Sequence, residues 1–159
     1  MPTTVKPIPD GYHTITPYLR CREAGKAIEF YKKAFGATEV TRMEGPDGKI
    51  AHAELQIGDS RIMLGEEMLS WKKHSPQSLG GTATGVFLYV PDADAAFARA
   101  VAAGATVLMP LANMFWGDRY GQLSDPFGHE WAIGQHLEDL EPDEIERRGR
   151  EAMANMSQP

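Results

Sequence analysis

A single cysteine, Cys21, stands in 159 residues. An intrachain disulfide is therefore excluded, and a cytoplasmic setting is the expectation. Cys21 falls in a strand-to-helix turn, where a buried, inert thiol accounts for it better than a nucleophile does. Basic residues are short as well: 16 Lys and Arg against 22 Asp and Glu leave a formal net charge of −6. A duplex nucleic-acid binder needs a basic stripe to neutralise phosphates, so that class is set aside. No apolar run approaches the roughly 20 residues of a membrane span. The first residues carry no apolar stretch of signal-peptide type, and no leader is expected. Phosphate-binding glycine loops, dinucleotide fingerprints and Ser-His-Asp or Cys-His arrangements are missing too. What is present is ordinary for a globular chain: 42% hydrophobic and 24% charged residues, in a length that suits one domain with its own core.

The alternation of the chain begins at His13. Through Arg20 it predicts a strand with Ile15, Pro17 and Leu19 on one face and Thr14, Thr16 and Tyr18 on the other. Pro17 marks it as an edge strand or a bulge. Arg22 to Phe35 has helical spacing, with Ala24, Ala27, Ile28, Tyr31, Ala34 and Phe35 on one stripe and Gly36 as its left-handed cap. Thr38 to Glu44 follows as a strand, ended by Pro46-Asp47-Gly48. The two-residue turn Gly58-Asp59 then pairs Ile57 with Ser60 and Glu54 with Met63. Ala53, Leu55, Ile57, Ile62 and Leu64 share a core face; His52, Glu54, Gln56, Arg61 and Met63 share the other. A slip of one residue would bury the charges, so this facing is well determined.

Glu66 to Leu79 reads as a linker with one helical turn near Trp71. Ala83 to Val90 is a strand with Val86, Leu88 and Val90 inward and Gly85, Phe87 and Tyr89 opposite. Asp92 caps a helix through Ala103, closed by Gly104. Strands are expected over Thr106 to Leu111, Arg119 to Ser124 and Gly128 to Gln135. A charged helix over about 142–154 closes the chain, opened by Pro142. Gly36-Ala37-Thr38 recurs as Gly104-Ala105-Thr106, within the same order of elements. This points to two βαβββ modules, about 12–79 and 82–137, in one domain of the α+β class. Each module leaves one sheet face uncovered, so a homodimer is expected.

The last strand carries the strongest signature. Asp125-Pro126-Phe127-Gly128 forms a turn, after which His129, Trp131 and Ile133 face one way and Glu130 and Ala132 the other. Together with Ala27-Ile28-Glu29-Phe30-Tyr31, His52-Ala53-Glu54-Leu55 and Phe115-Trp116-Gly117-Asp118-Arg119, this stretch resembles the vicinal oxygen chelate superfamily, the glyoxalase and bleomycin-resistance fold. Its PhnB-like branch matches over nearly the full chain. The resemblance implies a curved, cup-like mixed sheet with its working surface inside. It also places four metal ligands, which here fall on Thr16, Met63, Gly85 and Ala132. None is a His or a carboxylate, so no metal and no cofactor are expected.

A displaced metal at His52 and Glu54, with Glu130, is weighed against a simpler account, a hydrogen-bonding wall in a wet pocket. The same three residues are the candidates for general acid and base work, with desolvation raising a carboxylate's pKa. His13 and His129 fall on core-facing sides; His74 and His136 carry no readable signal. Thr16, Tyr18, Arg61, Met63, Phe87 and Tyr89 are expected to line a ligand cavity, with Trp116 at its mouth. Glu54 and Glu130 would tolerate a cationic ligand. Trp71 and Trp131 are expected only to pack. The first functional class is thus a binder of a small, flat organic molecule. The second is a lyase, isomerase or dioxygenase using His52, Glu54 and Glu130, and the third a partner-binding protein acting through the C-terminal helix.

Overall fold

The expected alternations resolve into two four-stranded mixed sheets built on one plan. The computed structural model describes residues 4–157. The chain divides into two compact units, one running up to Thr82 and including Pro126–His129, the other formed by Ala83–Asp125 and the residues from Glu130 onward.

In the first unit, β1 (Tyr18–Cys21) leads to α1 (Ala24–Phe35), then β2 (Thr38–Glu44), β3 (Ile50–Ile57) and β4 (Ser60–Glu66). The sheet order is β1-β4-β3-β2, with β1 parallel to β4 and the other pairs antiparallel. Helix α1 starts without a capping side chain of its own; the Glu66 carboxylate accepts the N–H groups of Glu23 and Ala24, at 2.9 and 2.8 Å, from the end of β4. Gly36, at φ 67°, ends the helix in the left-handed conformation that a side chain disfavours. Ala27, Ile28, Tyr31 and Ala34 are buried against Ala53, Leu55, Ile62 and Leu64 of the sheet. This is the facing that the Gly58-Asp59 hairpin requires, and its register is as expected, Glu54 opposite Met63.

Four local expectations for this unit need correction. The first strand begins at Tyr18, not His13, and Ile15 is exposed instead of core-facing. Pro17 cannot donate to a ladder and stands just outside the strand, its carbonyl accepting from Met63 N at 2.9 Å. His13, also ahead of the strand, is exposed. The stretch after β4 is more ordered than a linker. A 3₁₀ turn, Leu69–Trp71, precedes α2 (Pro76–Leu79), which Ser75 caps. Glu67 pins it, accepting from Ser78 Oγ at 2.6 Å, Ser75 Oγ at 2.8 Å and Arg22 Nε at 3.0 Å. Those donors, Ser78 first, hold its carboxyl down to about 2. Trp71 does not pack: it is 71% exposed.

The second unit repeats the plan with β5 (Gly85–Tyr89), α3 (Ala93–Ala103), β6 (Thr106–Asn113), β7 (Asp118–Ser124), β8 (Glu130–His136) and α4 (Pro142–Met156). Its order is β5-β8-β7-β6. Tyr18 pairs with Met63 and Phe87 with Ala132; each residue of the second pair lies 87 − 18 = 132 − 63 = 69 positions after its counterpart. The internal repeat is therefore real at the level of strand register. Asp92 caps α3 by accepting from Ala95 N at 3.0 Å. Leu123, Trp131 and Ile133 form the buried side of this sheet, and the Trp131 indole donates to Asp125 at 2.9 Å. No helix among the described residues is long and apolar enough to cross a membrane.

Candidate functional site

Each unit turns one sheet face toward its helices and leaves the other open, and the candidate residues lie on the open faces. In the first unit, alternation on β1, β3 and β4 brings Tyr18, His52, Glu54, Arg61 and Met63 together. Thr16 lies just before β1 and is half-buried. The Tyr18 hydroxyl meets His52 Nδ1 at 2.9 Å, and His52 Nε2 meets Glu54 Oε1 at 3.2 Å. Tyr12, which the sequence did not single out, faces Glu54 and Arg61. Its ring lies 4.6 Å from the Arg61 guanidinium. Tyr12 and His52 hold the Glu54 carboxyl below the usual carboxylate range, with Arg61 adding to the effect. The expected upward shift by desolvation is thus reversed. Glu54 is a stable anion, not a poised acid.

In the second unit the open face is aromatic. Phe87 and Tyr89 stand 4.7 Å apart between ring centroids, Phe87 stacks on Tyr120 at 5.6 Å, and Trp116 meets Tyr120 edge-on at 5.3 Å. Gly134 lies under this cluster. A Cβ there would sit 2.7 Å from the Phe87 ring, so only glycine lets the ring rest on the strand. The rings pack on one another, yet Phe87 stays 44% and Tyr89 66% exposed. Glu130 pairs with Gly85, which places it on the same open face, and it is exposed.

On the same open face, at its His136 end, sits a carboxylate that the sequence reading passed over. Asp118 is 2% exposed, accepting from the Tyr89 hydroxyl at 2.7 Å and from His136 Nδ1 at 2.8 Å. The Trp116 side chain also favours its ionised form. Burial raises the Asp118 carboxyl, but its donors, His136 first, outweigh burial and leave it below the ordinary value. His136 also meets Asp139 at 2.8 Å through Nε2. Asp118 first, then Asp139, raises the His136 pKa. His136, which carries no readable signal in the sequence, is thus set between two carboxylates. A charge at the start of a strand looks solvent-facing in sequence, and only the Tyr89 and His136 donors reveal why it is buried. Of the two histidines placed on core sides, His129 is buried and bonds the Arg20 carbonyl at 2.8 Å.

The model of the glyoxalase/bleomycin resistance protein/dioxygenase superfamily matches residues 11–133. The chain belongs to that superfamily. An uncharacterized protein of Mycobacterium bovis is 47% identical over 135 residues, 83% of this chain and 89% of the relative. Among solved structures, TioX from a Micromonospora species is 28% identical, with a TM-score of 0.63 over 79% of this chain and 99% of TioX. A PhnB protein from Bacillus cereus, described as a putative 3-demethylubiquinone-9 3-methyltransferase, is 20% identical with a TM-score of 0.61, over 77% of this chain and 99% of that one. At that identity the likeness is one of fold.

A metal of the kind that members of the superfamily hold does not fit the residues at Thr16, Met63, Gly85 and Ala132. Thioether, hydroxyl, hydrogen and methyl make no ligand set for a divalent ion. Among the described residues no three His, Cys, Asp or Glu side chains converge to hold an ion. The displaced site fares no better, because both His52 ring nitrogens already face Tyr18 and Glu54.

Proposed function

We propose that this superfamily member binds a small, flat organic molecule. The observation that carries the reading is the aromatic face of Phe87, Tyr89, Tyr120 and Trp116. Large rings left half in water cost hydrophobic free energy, and a stacked ligand would recover it. Fixed, glycine-floored rings also lose little entropy on binding. The prediction is that Phe87→Ala weakens binding of naphthalene-based probes by about 1–3 kcal/mol, the loss expected for one stacking and burial partner. Calorimetry and Trp116 fluorescence would measure it. Binding unchanged in the variant, or no binding of any flat probe to the native protein, would sink the reading.

A second reading is favoured by one observation, the Tyr18–His52–Glu54 hydrogen-bond chain. A carboxylate that orients an imidazole is a common arrangement for moving a proton. It would make the protein a lyase or isomerase, with His52 drawing a proton through the Tyr18 hydroxyl. The partner-binding reading gains less. The charges of α4 largely satisfy one another, Arg147 and Arg148 with Glu144, and Arg150 with Glu146.

A further inference from the structure

The charge of the chain is unevenly divided. All seven lysines lie at or before Lys73, so the second unit has none. That unit sets five arginines against twelve Asp and Glu, a net charge of −7. The first unit, with eleven basic and ten acidic residues, stands at +1. None of the five arginines belongs to β5 or β8. Arg119, the one on β7, alternates with Tyr120 and donates through Nε and a terminal nitrogen to Asp94 of α3, both at 2.8 Å. Strands β5, β7 and β8 therefore present no Lys or Arg on their open face, where Asp118, His136 and Glu130 are the titratable groups besides the two tyrosines. His136 is answered by Asp118 and Asp139. Glu130 is exposed, and no ion pair or hydrogen bond reaches its side chain from the described residues.

This unanswered carboxylate stands in the row next to Phe87. Gly85 pairs with Glu130, then Phe87 with Ala132, then Tyr89 with Gly134; successive rows on one face are about 7 Å apart. The Phe87 ring leans over Gly134, away from Glu130. Between ring and carboxylate the sheet carries only Gly85 and the methyl group of Ala132. Apart from its chain neighbours, a Cβ at Gly85 would find one atom within 4 Å, the Glu130 carbonyl oxygen at 3.7 Å, so the space over this end of the floor is open. At the other end the Tyr89 hydroxyl donates to Asp118 at 2.7 Å. Donation to a carboxylate leaves the phenol ring richer in electrons, which strengthens the pull of its face on a cation.

We propose that the flat ligand of this face is a cation, its charge carried in the ring system, stacked on Phe87 and Tyr89 with the Glu130 carboxylate as its counter-ion. The negative faces of the rings attract a cationic ring more than a neutral one of the same shape. Glu130 supplies a charge that nothing else on these strands consumes. The surplus of carboxylates in the unit adds a longer-range attraction that salt screens. An anion would meet the same field as repulsion, with no ammonium or guanidinium on the open face to answer it. The proposal rests on the flat-ligand reading and adds the sign of the ligand's charge, and every residue it uses belongs to the second unit.

The test is calorimetry on the full chain at low salt and slightly alkaline pH, with N-methylquinolinium, quinoline and 2-naphthoate. The three probes are bicyclic and alike in shape, and are cationic, neutral and anionic in turn. N-methylquinolinium should bind about tenfold more tightly than quinoline, and naphthoate more weakly than either. Glu130→Gln should cut the cation's advantage to about threefold, the share expected of one exposed counter-ion. Phe87→Leu keeps an apolar side chain but loses the π face, and should shrink the advantage as well; it serves if the Gln variant fails to fold. Equal binding of N-methylquinolinium and quinoline to the native protein overturns the proposal and spares the flat-ligand reading. So does tighter binding of naphthoate, or an advantage that both variants retain in full. Binding of none of the three overturns both readings.

Discussion

Replacing Trp131 by alanine is expected to cost about 3–5 kcal/mol of stability, the usual range for removing a buried tryptophan. The side chain is 1% exposed, on β8 opposite Val86 and Leu123, with Ile133 buried on the same face. Removing it takes away a large apolar body and opens a cavity that the paired strands on both sides cannot close. It also removes the indole N–H that Asp125 accepts at 2.9 Å, from a carboxylate that is 5% exposed. Losing a donor to a buried charged acceptor adds to the cavity cost. Urea unfolding followed by circular dichroism would measure the change. A loss below about 1 kcal/mol would contradict the placement of Trp131 in the core.

The second large effect concerns Asp118. Asp118→Asn keeps the shape but replaces one acceptor oxygen with a donor, turned toward Tyr89, His136 and Trp116. A loss of about 2–3 kcal/mol near pH 6 is expected from breaking a buried, charge-assisted set of hydrogen bonds. The pH profile separates this from simple packing damage. His136 meets a carboxylate at each ring nitrogen, and only the imidazolium can donate to both. Its folded pKa is raised, so its contribution is full below the ordinary 6.5 and is lost as pH rises through the raised value. The Asp118 pKa is lowered, so its contribution is full above the ordinary 3.8 and is lost as pH falls through the lowered value. The native protein should therefore draw most from this group between those limits, and Asp118→Asn should flatten the profile. A variant whose stability tracks the native curve at every pH would show that the Asp118–His136 pair contributes nothing.

The two residues differ in how plainly the sequence announced them. Trp131 was legible because a strand has period two: with Ile133 on the same side, the buried face follows from alternation alone. The hairpin through Gly58-Asp59 was legible for the same reason, since a short turn fixes the register and the register fixes the facing. Helix α1 showed its stripe and its glycine cap, though not the Glu66 carboxylate that closes its N-terminus from 42 residues away. Periodicity also misled at Ile15 and His13, where an apparent alternation continues past the point at which Pro17 ends the ladder. Trp71 looked like core by residue type and instead stands 71% exposed on a turn closed between Met68 and Lys73.

By itself the sequence determined the class of fold, the repeat of two modules, and the facing of β3, β4 and β8. These follow from local periodicity, turn chemistry and residue type, which act over a few positions. Tertiary structure alone decided which polar groups are paired and which charge is left over. Asp118 can stay buried because Tyr89 and His136 reach it from separate strands. Glu54 stays ionised because Tyr12 and His52 face it. Hydrogen bonds and ion pairs are made at about 3 Å between residues tens of positions apart, and no local pattern in a chain encodes that distance.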